Sequence, residues 1–134
     1  MSLNVALLRT SFELVVTRQP NLTHIFYNEL FTRHPEAQGL FGSNSRAKQE
    51  KMLAEALTAV LDNLEDTPWL TNTLAGLGQK HVGYGVTAEM YNWVGESLLV
   101  TIARVAGNDW NQELEEAWTN SYGAIVSLML PKTS

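Results

Sequence analysis

The chain has 134 residues, a net charge of −5 and no cysteine. That length fits one domain, residues 1–134, able to bury roughly 70% of its unfolded surface without covalent staples. The acidic balance argues against a nucleic-acid partner, which needs a basic patch, and the missing thiols exclude disulfides and thiolate metal sites.

In chain order, Val5, Leu8, Phe12, Val15 and Val16 recur at helical spacing until Pro20, before which helical backbone is disfavoured. Arg9, Thr10, Ser11 and Glu13 break this stretch, so neither a signal peptide nor a bilayer-spanning segment is expected. A cytoplasmic protein without a membrane partner is the expectation. A second helix is predicted from about Asn21 to Arg33, with Leu22, Ile25, Phe26 and Leu30 on one side, flanked by Tyr27 and Phe31. Pro35 suits the first turn of a short helix ending near Phe41.

After a loop rich in capping residues, Leu53, Ala56, Leu57, Val60, Leu61 and Leu64 form the stripe of a long helix, with Gln49 one turn earlier on the same face. Thr67 can cap the next helix, with Pro68 at its first position. Its stripe runs Leu70, Leu74, Leu77 and then His81, and Gly83 and Gly85 are expected to end it in left-handed backbone. Thr87 can cap a helix with Tyr91, Val94, Leu98, Ile102 and Val105 inward. Asn108 or Asp109 can cap a last one carrying Trp110, Leu114, Trp118, Ser121, Ile125 and Leu128, closed by Pro131. No stretch alternates as strongly with the period of a strand, so the class is all-α.

His81, in "GLGQKHVGYG", stands where an aliphatic residue would be expected. As a core imidazole it would be neutral and satisfied by one carbonyl. As a haem ligand it would offer a bare nitrogen to iron, its other nitrogen donating to the carbonyl of Leu77. Spacing alone leaves both open. Gln49 tips the balance, because a buried amide without a partner costs about 1–3 kcal/mol. Together with the phenol of Tyr27, two neutral donors and one imidazole on three helices describe a gas-binding haem pocket better than a plain core. His24 and His34 read as helix-surface or helix-end residues with no chemistry.

With these residues in place, the sequence resembles the bacterial single-domain globins related to the haem domain of flavohaemoglobins. "FYNELFTRHPEAQGLF", "QEKML", "LGQKHVGYGV", "EMYNWVGESLL" and "AWTNSYG" carry the resemblance in order and spacing, from the first helix to about Leu130. It implies the globin fold, a three-over-three helical sandwich around haem b (iron protoporphyrin IX). By position, His81 would be the proximal iron ligand, Tyr27 and Gln49 the distal pair, and Leu53 the residue crowding the gas site. Phe41 would pack on the porphyrin, Lys80 would reach a propionate, and Leu57, Val86, Val94 and Leu98 would line the cavity. Leu77 and Tyr91 would support the histidine. The glutamate that partners the family's proximal tyrosine falls on Thr133, beyond the helix-ending Pro131, so that partner is not matched in this sequence.

The expected function is reversible binding of dioxygen, and of other diatomics such as nitric oxide and carbon monoxide, at pentacoordinate iron, with high oxygen affinity. This covers oxygen transport or storage by a monomer or weak homodimer. The alternative is nitric oxide dioxygenase activity, a detoxification that would need a separate reductase. A gas sensor is weaker, since no output segment is recognisable, and a haem-free globin-like interaction module weaker still, since His81, Tyr27 and Gln49 are all present.

Overall fold

The computed structural model describes residues 4–41 and 45–130, with backbone alone at residues 40 and 41. The helices are α1 (Val5–Arg18), α2 (Leu22–Arg33), α3 (Arg46–Asp62), α4 (Thr67–Gly83), α5 (Ala88–Ala106) and α6 (Gln112–Met129). Short 3₁₀ turns span Pro35–Phe41 and Gly107–Asp109, and no strand occurs among the described residues.

Polar side chains start most of these helices by taking an orphan backbone N–H. Asn4 accepts from Leu7, Ser45 from Lys48 at 3.2 Å, Thr87 from Met90, and Asn111 from Leu114 at 2.9 Å. Two expected caps are corrected. Asp66, one residue before Thr67, accepts from Trp69 at 3.1 Å, so the helix starts at Thr67 and takes that residue inside. The 3₁₀ turn occupies Asn108 and Asp109, which delays α6 until Asn111 can cap it.

The end of α4 is corrected as well. Gly83 is still helical, and only Gly85, at φ +85°, takes the left-handed conformation that suits a residue without Cβ. The Val86 N–H returns to the carbonyl of His81 at 3.0 Å, closing the helix around the residue of interest.

α1, α3 and α4 cross over α2, α5 and α6, the three-over-three arrangement expected of the resemblance. The most extensive packing joins α2 to α5 and α4 to α6, while α3 rests on α2 and, to a lesser extent, α1. One core cluster holds Leu8, Val15, Leu22, Phe26, Leu30, Ile102, Leu114 and Trp118. A smaller one, under α4, holds Leu70, Leu74, Tyr91 and Met129. Each fully buried Leu, Ile or Phe contributes roughly 1.5–3 kcal/mol, so the larger cluster anchors the fold. The Trp118 indole satisfies its buried N–H on the Ser11 hydroxyl at 2.9 Å.

α3 is the least buried of the long helices. Leu61 is its one buried residue, whereas Leu53, Ala56, Leu57 and Val60 on the predicted stripe are half-buried. The apolar face of α3 therefore has less protein against it than its sequence pattern would fill.

Candidate functional site

The helical register of α4 carries His81 on from Leu70, Leu74 and Leu77, but the ring is half-buried rather than enclosed. It lies near the helix end, where α4 offers few neighbours. Its Nδ1 donates to the carbonyl of Leu77 at 2.8 Å, one turn earlier. A carbonyl can only accept, so the proton sits on Nδ1 and the lone pair on Nε2. Among the described residues no group hydrogen-bonds Nε2. The ring is steadied by Tyr91, stacked at 6.0 Å and 27°, and by Tyr84, edge-on at 6.3 Å.

Tyr91 is buried, and burial raises its pKa. Its carbonyl accepts from the Tyr122 hydroxyl on α6, tying the start of α5 to the last helix. Leu77 and Val86 pack half-buried against the smaller cluster around Tyr91.

On α2, Tyr27 is 5% exposed, between Phe26 at 5.0 Å and Phe31 at 5.7 Å. The sequence left Gln49 without a partner; the structure supplies one, since its amide hydrogen-bonds the Tyr27 phenol. Burial raises the Tyr27 pKa above its usual 10.0, the Gln49 bond opposes this, and Glu50 and Arg46 push it up and down respectively. That bond favours the ionised phenol, but burial outweighs it, so Tyr27 stays protonated at neutral pH.

The remaining expected residues divide by position. Leu98 is buried, and Leu53, Leu57 and Val94 are half-buried against the larger cluster. Lys80 is exposed and makes no ion pair among the described residues. The Phe41 side chain and Thr133 lie outside the described residues.

Four residues beside the pair went unassigned from sequence: His24 and Asn28 on α2, and Arg46 with Glu50 on α3 around Gln49, make polar contacts across the two helices. The available signal was spacing, because residues four apart share a helix face and 24/28 and 46/50 bracket positions 27 and 49. His34 stacks on Trp93 at 4.7 Å and 11°, away from this group.

The donor set fits a haem. An oriented imidazole offers a bare nitrogen, apolar side chains of α3 and α5 are incompletely covered, and a phenol–amide pair supplies polarity on α2 and α3.

Residues 24–129 match the globin family. The chain is 34% identical over 106 residues to the flavohemoprotein of Rhizobium meliloti (strain 1021), covering 78% of this chain and 26% of that protein. It is 34% identical over 111 residues to the flavohemoprotein of Bordetella pertussis, covering 81% of this chain and 28% of that one. The chain thus spans little more than a quarter of the length of these relatives. Its structure is similar to an engineered carbene transferase described as a putative nitric oxide dioxygenase from Rhodothermus marinus, with TM-score 0.80, 27% identity, and 93% and 87% of the two chains covered. It is also similar to a bacterial globin from Campylobacter jejuni, with TM-score 0.74, 26% identity, and 93% and 92% covered. By sequence and by architecture, the chain belongs to the globin family.

Proposed function

We propose that the chain holds haem b through His81 and binds dioxygen and other diatomic gases reversibly, with Tyr27 and Gln49 raising dioxygen affinity. The observation that carries this reading is the His81–Leu77 hydrogen bond at 2.8 Å, which fixes the tautomer and leaves Nε2 as a ligand. When bound, haem supplies an iron that ligates a diatomic gas and shifts negative charge onto it.

The chain's own residues do the rest. His81 is oriented before any ligand arrives, so little rotamer freedom remains to be lost. Burial keeps Tyr27 protonated, hence a donor, at neutral pH. Leu53 crowds the gas, and Leu57, Val86, Val94 and Leu98 form apolar walls that exclude water. Lys80 remains exposed, suited to a propionate at the rim. Tyr91 and Leu77 hold the imidazole from behind.

A second reading is favoured by the names of the relatives, flavohemoprotein and putative nitric oxide dioxygenase. In it, the same pocket converts nitric oxide and dioxygen to nitrate, with a reductase returning the electron. Nitric oxide consumption in the presence of a reductase separates the two.

The test is an absorption spectrum of the haem-loaded protein, oxidised, reduced and exposed to carbon monoxide. A five-coordinate ferrous spectrum that shifts with carbon monoxide is expected, together with loss of stable haem uptake in His81→Ala. Failure to take up haem, or an unaltered spectrum in His81→Ala, overturns the assignment.

A further inference from the structure

The Tyr27–Gln49 pair sits inside a polar frame that spans α2 and α3. One oxygen of Glu50, Oε2, accepts from Arg46 Nε at 2.9 Å and from His24 Nδ1 at 2.8 Å. Arg46 Nη2 crosses to α2, donating to the His24 carbonyl at 2.9 Å and to Asn28 Oδ1 at 2.7 Å. The Arg46 guanidinium also lies 5.7 Å from the centre of the Phe31 ring, which stacks on Tyr27. His24 and Asn28 thus bracket Tyr27 on one helix, and Arg46 and Glu50 bracket Gln49 on the other.

Such a frame matters because, among the described residues, few buried side chains hold this end of α3. Its buried residue, Leu61, is at the far end, Met52 is 48% exposed, and Lys48 and Lys51 are exposed. A helix end with few buried apolar contacts opens readily, and Gln49 would move with it. Exposed ion pairs contribute little stability singly, so the geometric constraint is the property to consider. Four charge-assisted or polar contacts converging on one guanidinium and one carboxylate fix the register of α3 on α2.

We propose that Arg46 and Glu50, with His24 as the second partner of Glu50, are positioning residues that lock the Gln49 amide against Tyr27 and thereby set the rate at which a diatomic ligand leaves. The inference rests on the gas-binding reading of the pocket. Glu50 and Arg46 also act on Tyr27 through space in opposite senses, Glu50 raising and Arg46 lowering its pKa.

The experiment uses the haem-loaded protein with two readouts: dioxygen release by stopped flow, and the carbon monoxide stretching band in the infrared, which responds to nearby hydrogen-bond donors. Glu50→Ala is expected to release dioxygen roughly threefold to tenfold faster and to shift the carbon monoxide band, having lost part of what Gln49 contributes. Glu50→Gln, which retains an acceptor oxygen for both partners, is expected to restore most of the wild-type band and rate. Arg104→Ala, which breaks an ion pair to Glu29 on the other side of α2, serves as the control and is expected to leave both unchanged. Should Glu50→Ala fail to fold, Arg46→Ala carries the same expectation.

A lower melting temperature in Glu50→Ala with an unmoved band and rate overturns the proposal, because it reduces the frame to a structural contact. If Tyr27→Phe and Gln49→Leu move both readouts while Glu50→Ala and Arg46→Ala move neither, the gas-binding reading stands and the positioning role falls. If Tyr27→Phe itself moves neither, both fall together.

Discussion

The amide of Gln49 on α3 hydrogen-bonds the phenol of Tyr27 on α2, joining the two polar groups that stand on apolar faces. Neither is a satisfactory core residue alone. Joined, each meets part of the other's hydrogen-bonding need.

That relationship predicts unequal effects on two gases. Hydrogen bonds to charged acceptors contribute about 1.5–3 kcal/mol, and 1.4 kcal/mol is a factor of ten. Tyr27→Phe and Gln49→Leu are each expected to speed dioxygen release by roughly tenfold or more. The double variant should show less than the product of the two effects, because the residues contact each other. Carbon monoxide, which carries less charge, should change less. Stopped-flow release of both gases checks this; equal effects on the two gases would show that the donors act by bulk rather than by charge.

His81 and Gln49 stand out in the sequence because a polar group on an apolar stripe is conspicuous, and Tyr27 because it flanks one. The structure buries Tyr27 but leaves His81 and Gln49 half-buried, since helical spacing assigns a face and not a depth. The six helices were legible from the same spacing. Arg46 and Glu50 were not, since charged residues four apart on a helix look like any solvated face until a second helix is brought against them. Gln49 could be recognised as needing a partner, but only the packing of α3 on α2 identifies Tyr27 as that partner. The misplaced caps have a local cause. Asp66 and Thr67 are adjacent and both competent, and the earlier one captured the Trp69 N–H.

Two glycines on α4 should answer oppositely to the same substitution. A Cβ on Gly78 would lie 1.8 Å from the Met129 carbonyl oxygen and 2.6 Å from its carbon, so α4 and α6 meet backbone to backbone there. Gly76, half a turn away, has nothing within 4 Å. Gly78→Ala is expected to cost about 3 kcal/mol, the upper end for overpacking, because backbone rather than a flexible side chain must yield. Since α4 carries His81, haem affinity should fall with it. Gly76→Ala should stabilise by about 0.5–1 kcal/mol through helix propensity alone. Thermal melts and haem-transfer rates of the two variants check this; similar melting temperatures would mean that the α4–α6 contact is looser than described.

Stability should fall at alkaline pH and should do so through tyrosines. Burial raises the pKa of Tyr27, Tyr91 and Tyr122, the last also because Tyr91 lies near it. For such groups the unfolded chain loses its proton first, at about pH 10. Below that value both states are protonated and the stabilisation is fully present; it is lost as pH rises through the folded-state values. Denaturant midpoints should therefore be level from neutrality to about pH 10 and then decline. Tyr122→Phe should start lower, because the bond to the Tyr91 carbonyl is gone, yet decline less steeply. At the acid end the sign reverses. Hydrogen bonds from Arg33 and then Arg104 lower the pKa of Glu29, so its contribution is present above about pH 4.5 and fades as pH falls. The Glu29 side chain is mostly covered, but its partners Arg33 and Arg104 are open to solvent, so that decline should be modest and weakened by salt. A midpoint that rises above pH 10, or an alkaline slope that Tyr122→Phe leaves unchanged, would mean that the buried phenols do not govern this edge.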